Sequence, residues 1–124
     1  MLAAAGLLQG RRATCHWAAL EYLPLMGAVP VDEKVVVDGN IVTGAGVTSG
    51  IDFALKLAAI LEGEETAREI QLQIEYDPEP PFQSGSPKTA APETVATLMA
   101  RMAPLREARR DVAARVGRKL GIIS

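Results

Sequence analysis

Val35-Val36-Val37-Asp38-Gly39-Asn40-Ile41-Val42-Thr43 sets two β-branched runs on either side of Asp38-Gly39. Branched side chains suit a pleated, half-buried surface, and Asp-Gly suits a two-residue type I′ turn because both of its central positions need positive φ. The stretch predicts a β-hairpin with its turn at Asp38-Gly39. Downstream, Gly44-Ala45-Gly46-Val47-Thr48-Ser49-Gly50 reads as a glycine-rich loop that offers Thr48 or Ser49 as the N-cap of a helix from Ile51 to Leu61. Ile51, Ala54, Leu55, Ala58 and Leu61 form one stripe, and Phe53, Leu57 and Ile60 make the rest largely apolar, as in a buried layer. Gly63 stops this helix, and a second starts at Glu64-Glu65 with acids at its positive end, a Glu64–Arg68 pair, and Ala67, Ile70 and Ile74 facing inward. Upstream, residues 12–16 read as a short strand with a turn at His16. A helix follows with Trp17, Leu20 and Leu23 on one side, ended by Pro24 and Gly27. Ala3 to Leu8 is small and apolar and stops at Gly10, as a buried helix does. With no cap or strand before it, this opening predicts that Met1 lies inside a helix of a larger domain. Alternating strands and helices predict an α/β layer built on a parallel sheet.

The last third differs in character. Residues 77–92 hold Pro78, Pro80, Pro81, Pro87 and Pro92, which forbids a regular element and predicts an irregular arm. After it, Val95, Leu98, Met102, Leu105, Val112 and Val116 recur at heptad-like spacing with Arg109 among them, which predicts a helix packed on its own domain or on a partner subunit. Pro104 should kink or interrupt that helix. The division expected is an α/β part over 1–76, an arm over 77–92 and a helical extension over 93–124.

Length and charge narrow the function. A chain of 124 residues with 48% hydrophobic and 23% charged side chains has room for one core and is not of disordered composition. No apolar run reaches the ~18–20 residues that span a bilayer, so no membrane role is expected and a cytoplasmic location is. One cysteine excludes an internal disulfide, and one histidine beside it leaves no metal site expected. A net charge of −2 provides no field for nucleic acid. The basic residues of the tail, Arg101 to Lys119, have no interleaved aromatics for base stacking and read as a solvated face.

In a parallel sheet, ligands bind at the carboxyl ends of strands. Two loops meet that condition: Cys15-His16-Trp17, and Gly44 to Gly50, where a helix N-terminus turns its free N–H groups outward. His16 is the only imidazole and thus the one base with a near-neutral intrinsic pKa. A hydrogen-bonded structural histidine fits the same spacing. Cys15, one residue earlier on a strand, should point to the opposite face as a buried thiol. The Gly44-Ala45-Gly46 loop is neither a dinucleotide fingerprint nor a P-loop.

Three blocks carry a family resemblance: Gly6 to Trp17 (GLLQGRRATCHW), Val29 to Asp52 (VPVDEKVVVDGNIVTGAGVTSGID) and Gln71 to Pro87 (QLQIEYDPEPPFQSGSP). Together they resemble the isonitrile hydratases of the ThiJ/PfpI superfamily, within the class I glutamine amidotransferase-like group. The first two blocks also resemble amidotransferase-like domains fused to AraC-type regulators, and the Tyr-Asp-Pro-x-Pro-Pro-Phe run favours the hydratases. The resemblance implies the carboxyl-terminal half of a flavodoxin-like three-layer α/β sandwich with a β-hairpin and a long carboxyl-terminal helix, usually a homodimer. It implies hydration of an isonitrile, a small-molecule substrate, to an N-substituted formamide without a cofactor. His16 matches the family histidine, with Trp17, Gly44, Gly46 and Thr48 expected to line the pocket. The nucleophilic cysteine of the family precedes the apolar segment that opens this chain. The resemblance therefore implies a fragment without its nucleophile, inactive alone, and Cys15 does not stand in for it. A non-enzymatic regulatory domain and a truncated reading frame are the alternatives.

Overall fold

A computed structural model describes residues 1–124. Its strands are β1 (Arg12–Ala13), β2 (Val29–Pro30), β3 (Val35–Asp38) and β4 (Ile41–Gly44), and its helices are α1 (Ser49–Glu62), α2 (Glu64–Gln73) and α3 (Pro92–Lys119). β1 and β2 pair in parallel, Arg12 opposite Val29 and Ala13 opposite Pro30. β3 and β4 form the expected hairpin, in the register Val35–Gly44 to Asp38–Ile41. Its turn is displaced by one residue from expectation. Asp38 is the last ladder residue and Gly39-Asn40 are the two turn residues, with positive φ at Gly39 (+61°) and not at Asn40. Glycine first with a negative φ after it is the pattern of a type II′ turn. Asp38 stays on the ladder because its carboxylate has a partner there: Oδ2 accepts the Arg12 backbone N–H at 2.7 Å, and Arg11 lies 3.7 Å away. That bond ties the hairpin to β1.

The apolar segments before the hairpin are tighter than expected. Instead of α-helices there are single 3₁₀ stretches, Ala3–Ala5, Trp17–Tyr22 and Pro24–Met26. Gly6 and Gly27, at φ +77° and +83°, close the first and third in the left-handed conformation. Pro24, lacking an N–H, starts a new turn and keeps Trp17–Tyr22 from continuing as one helix. These turns gather the core: Ala3, Leu8, Ala13, Leu23 and Ala28, with Cys15, Leu20, Met26 and Ile41 packed around them.

α1 lies on the hairpin, with Phe53 packed against Gly44, its Cβ 3.4 Å from where a Cβ there would stand. α2 folds back on α1, with Ala67 buried between them. The Tyr76 hydroxyl donates to Asp52 Oδ1 at 2.9 Å, and Lys34 lies 3.8 Å from the same carboxylate, so one aspartate joins the loop before β3, α1 and the end of α2. The apolar stripe of α1 is not enclosed as expected: Ile51 and Leu61 are exposed, and so is Ile60 on another side of the helix. Only 14 of 124 residues are buried and no large side chain is completely so, which leaves these faces able to take further packing.

No regular element occupies residues 74–91, where Lys88 pairs with Asp32 at 2.7 Å. α3 then begins with Pro92 at its first position, where the missing N–H costs nothing. Pro104 does not interrupt it, the helix being continuous from Pro92 to Lys119. The bond lost there belongs to the carbonyl of exposed Ala100, which water can reach. Its docking face also differs from the apolar stripe. Leu98, Leu105 and Val112 remain 39–49% exposed, while Ala113 and Gly117 are buried against residues 17–26. The small residues let the backbones approach. Arg106 then pairs with Glu21, and the Tyr22 hydroxyl donates to the Arg106 carbonyl at 3.1 Å.

Candidate functional site

β1 ends at Ala13, and the chain leaves it through buried Thr14, half-buried Cys15 and exposed His16. Thr14 anchors this exit in two directions. Its N–H donates to Thr43 Oγ1 on β4 at 2.9 Å, and its hydroxyl donates to the Glu33 carbonyl at 2.8 Å. The end of β1 is thereby held against the end of β4, and each strand delivers one of the two loops singled out in the sequence. The loops converge. An added Cβ on Gly46 would stand 4.0 Å from His16 Cδ2, so the glycine loop borders the imidazole.

His16 has extended backbone angles (φ −51°, ψ 134°) and caps the Trp17–Tyr22 turn: its Nδ1 accepts the Ala18 N–H at 3.2 Å. This satisfies one of the donors left free at the start of a helical segment and fixes the ring. The Trp17 ring lies beside it, centroids 5.5 Å apart and planes tilted by 31°. His16, Trp17 and Gly46 therefore form one constellation. Gly44 stands apart from it, its open side taken by Phe53. Thr48 precedes α1 with helical backbone angles and no capping bond from its hydroxyl, which is exposed with the neighbouring Val47.

Cys15 is half-buried, its side chain packed against the edge of the core. Burial pushes its thiol above the ordinary 9.0, and Sγ–H donates to the His16 carbonyl at 3.6 Å. A neutral thiol engaged in this way is a poor nucleophile at pH 7. No three His, Cys, Asp or Glu side chains gather as metal ligands would. A groove of ≈ 310 Å³ lies between α1 and α2, lined by Asp52, Lys56, Glu64 and Arg68 among others, and includes neither His16 nor Trp17. No helix is long and apolar enough to cross a membrane.

Thr14 and Thr43 were not singled out in the sequence, although they set the geometry. The signal available was a hydroxyl-bearing, β-branched residue at the end of each strand leading to a candidate loop. Their pairing spans 29 residues and leaves no local trace.

Residues 1–60 match the DJ-1/PfpI family. The chain is 52% identical over 122 residues to an isonitrile hydratase of Pseudomonas putida, covering 98% of this chain and 54% of that protein. It is 40% identical over 78 residues to the HTH-type transcriptional regulator CdhR of Pseudomonas aeruginosa, covering 60% of this chain and 23% of the regulator. Thus it spans about half the length of the hydratase and less of the regulator. The crystal structure of a ThiJ/PfpI family protein from Pseudomonas syringae superposes with a TM-score of 0.85 at 41% identity, over 94% of this chain and 46% of that one. A solved relative of this type shares the flavodoxin-like fold and the long terminal helix over 94% of this chain, and the chain belongs to the DJ-1/PfpI family.

Proposed function

We propose that this chain supplies the histidine wall of an isonitrile hydratase pocket, and that the sulfur nucleophile comes from sequence outside these 124 residues. The observation that carries the reading is the match to the P. putida hydratase, which runs through the arm and α3 and not only through the more widely shared first 60 residues. The reaction adds water across the terminal carbon of R–N≡C to give R–NH–CHO, so that carbon gains the oxygen and one hydrogen while nitrogen gains the other. His16, Trp17 and Gly46 border the substrate, with Gly44 and Thr48 at the margin. Cys15 keeps the loop in place and does not attack. The exposed Ile51 and Leu61 of the α1 stripe fit the same reading, since such a stripe is buried when the rest of a flavodoxin-like domain packs on it. The regulator match favours a ligand-binding domain without catalysis, yet it covers 60% of the chain against 98%.

The protein works in the cytoplasm as a homodimer. Leu98, Leu105 and Val112 of α3 are flanked by Arg101 and Arg109, and Leu72 of α2 shares its exposed face with Glu65 and Glu69. Apolar contact with opposite charge suits a second copy at this surface.

The test is a hybrid in which the amino-terminal part of the P. putida hydratase is joined to this chain, assayed with cyclohexyl isocyanide for N-cyclohexylformamide. Turnover by the hybrid and none by the 124 residues alone is expected. An inactive but folded hybrid overturns the assignment.

A further inference from the structure

We infer that His16 serves the pocket as a fixed, neutral Nε2–H hydrogen-bond donor, and not as the base the sequence suggests. A neutral imidazole has one N–H and one bare nitrogen. The Ala18 N–H donates to Nδ1 at 3.2 Å, so Nδ1 is the bare nitrogen and the proton resides on Nε2. The alternative tautomer would set two N–H groups against each other and strip the Trp17–Tyr22 turn of its cap. The ring cannot exchange its two nitrogens without that loss.

The exposed edge of the ring follows from this. Cδ2, the carbon bonded to Nε2, is what a side chain at Gly46 would meet, and His16 itself is open to solvent. A base at this place would need a lone pair on Nε2, which carries the proton. General acid work is equally disfavoured, because losing that proton from a neutral ring leaves an imidazolate. What remains is a hydrogen bond to an acceptor, the use to which a neutral histidine at a helix start can be put. On the hydratase reading, on which this inference rests for its acceptor, the terminal carbon of the isonitrile offers its lone pair to Nε2–H. No proton leaves His16, and water furnishes the oxygen and both hydrogens of the formamide.

Because the chain has one histidine, its imidazole nitrogens give an unambiguous spectrum. The experiment is a long-range ¹H–¹⁵N correlation on the folded, ¹⁵N-labelled 124-residue chain at about pH 8.5, where an imidazole is ordinarily neutral. The result expected is a protonated Nε2 and a bare Nδ1; an Nδ1–H pattern, or rapid averaging of the two, overturns the inference. His16→Asn keeps an acceptor at the capping position without the distal donor, so its melting curve should stay near that of the unmodified chain while His16→Gln melts lower. The reverse order counts against the cap. Adding cyclohexyl isocyanide to the hybrid with the amino-terminal part of the P. putida hydratase, ¹⁵N-labelled only in these 124 residues, should shift the Nε2–H resonance. With the expected tautomer and no shift, the donor assignment stands and the hydratase reading is what fails.

Discussion

Replacing Gly117 by alanine should destabilise the chain, against the usual trend for helices. In an open helix interior the change gains roughly 0.5–1 kcal/mol, because glycine loses more backbone freedom on folding. At Gly117 the new Cβ would stand 2.0 Å from the Leu25 carbonyl oxygen and 3.2 Å from Ile123 Cγ1. A carbon and a carbonyl oxygen come no closer than about 3.3 Å in ordinary contacts, so α3 or the Pro24–Met26 turn must retreat by roughly 1.3 Å. The obstacle is backbone and cannot rotate away. Overpacking of this kind costs about 1–3 kcal/mol, and the retreat also strains the Tyr22 bond to the Arg106 carbonyl. After subtracting the helix-propensity gain, the net loss is about 0.5–2 kcal/mol. Gly50→Ala is the internal control, since nothing lies within 4 Å of its added Cβ in α1; it should gain a few tenths to about 1 kcal/mol. Urea unfolding of both variants reads the difference as shifts of the midpoint at constant slope. If Gly117→Ala stabilises as much as Gly50→Ala, the close approach of α3 to residues 24–26 is wrong.

Cys15 should react with iodoacetamide more slowly at pH 7 than an unstructured cysteine peptide, and its rate should still be climbing with pH above 9, because burial favours the neutral thiol. The linked stability is fully present below pH 9 and fades as pH climbs through the raised value; a rate at pH 7 equal to that of an unstructured cysteine peptide contradicts this. Asp38→Ala removes the acceptor of the Arg12 N–H and should cost about 1 kcal/mol in urea unfolding, with faster amide exchange at Arg12. Reversing Arg101 and Arg109 to glutamate should yield a monomer in sedimentation, and Glu65→Lys with Glu69→Lys in the same chain should restore the dimer. A monomeric unmodified protein refutes the proposed interface.

Local chemistry made much of this fold legible, and the misses have identifiable causes. The hairpin could be read from its branched runs, but the frame of its turn depended on Asp38 bonding to Arg12 across 26 residues. The segment from Trp17 to Met26 has helical apolar spacing, which does not separate 3₁₀ from α geometry when Pro24 breaks it after six residues. Heptad spacing identified the apolar stripe of α3, whereas close approach selected Ala113 and Gly117, which carry too little apolar surface to register in such a pattern. The convergence of the His16 and Gly46 loops was readable from strand ends. The role of His16 was not, because the bond from the Ala18 N–H that assigns its proton depends on the ring's orientation.

The most direct measurement is isonitrile turnover by the hybrid enzyme carrying Cys15→Ser. Formation of N-cyclohexylformamide at the rate of the unmodified hybrid is the outcome predicted, since the attacking sulfur lies elsewhere. Loss of that turnover in a folded variant, or measurable turnover by the 124 residues alone, would show that Cys15 does the chemistry.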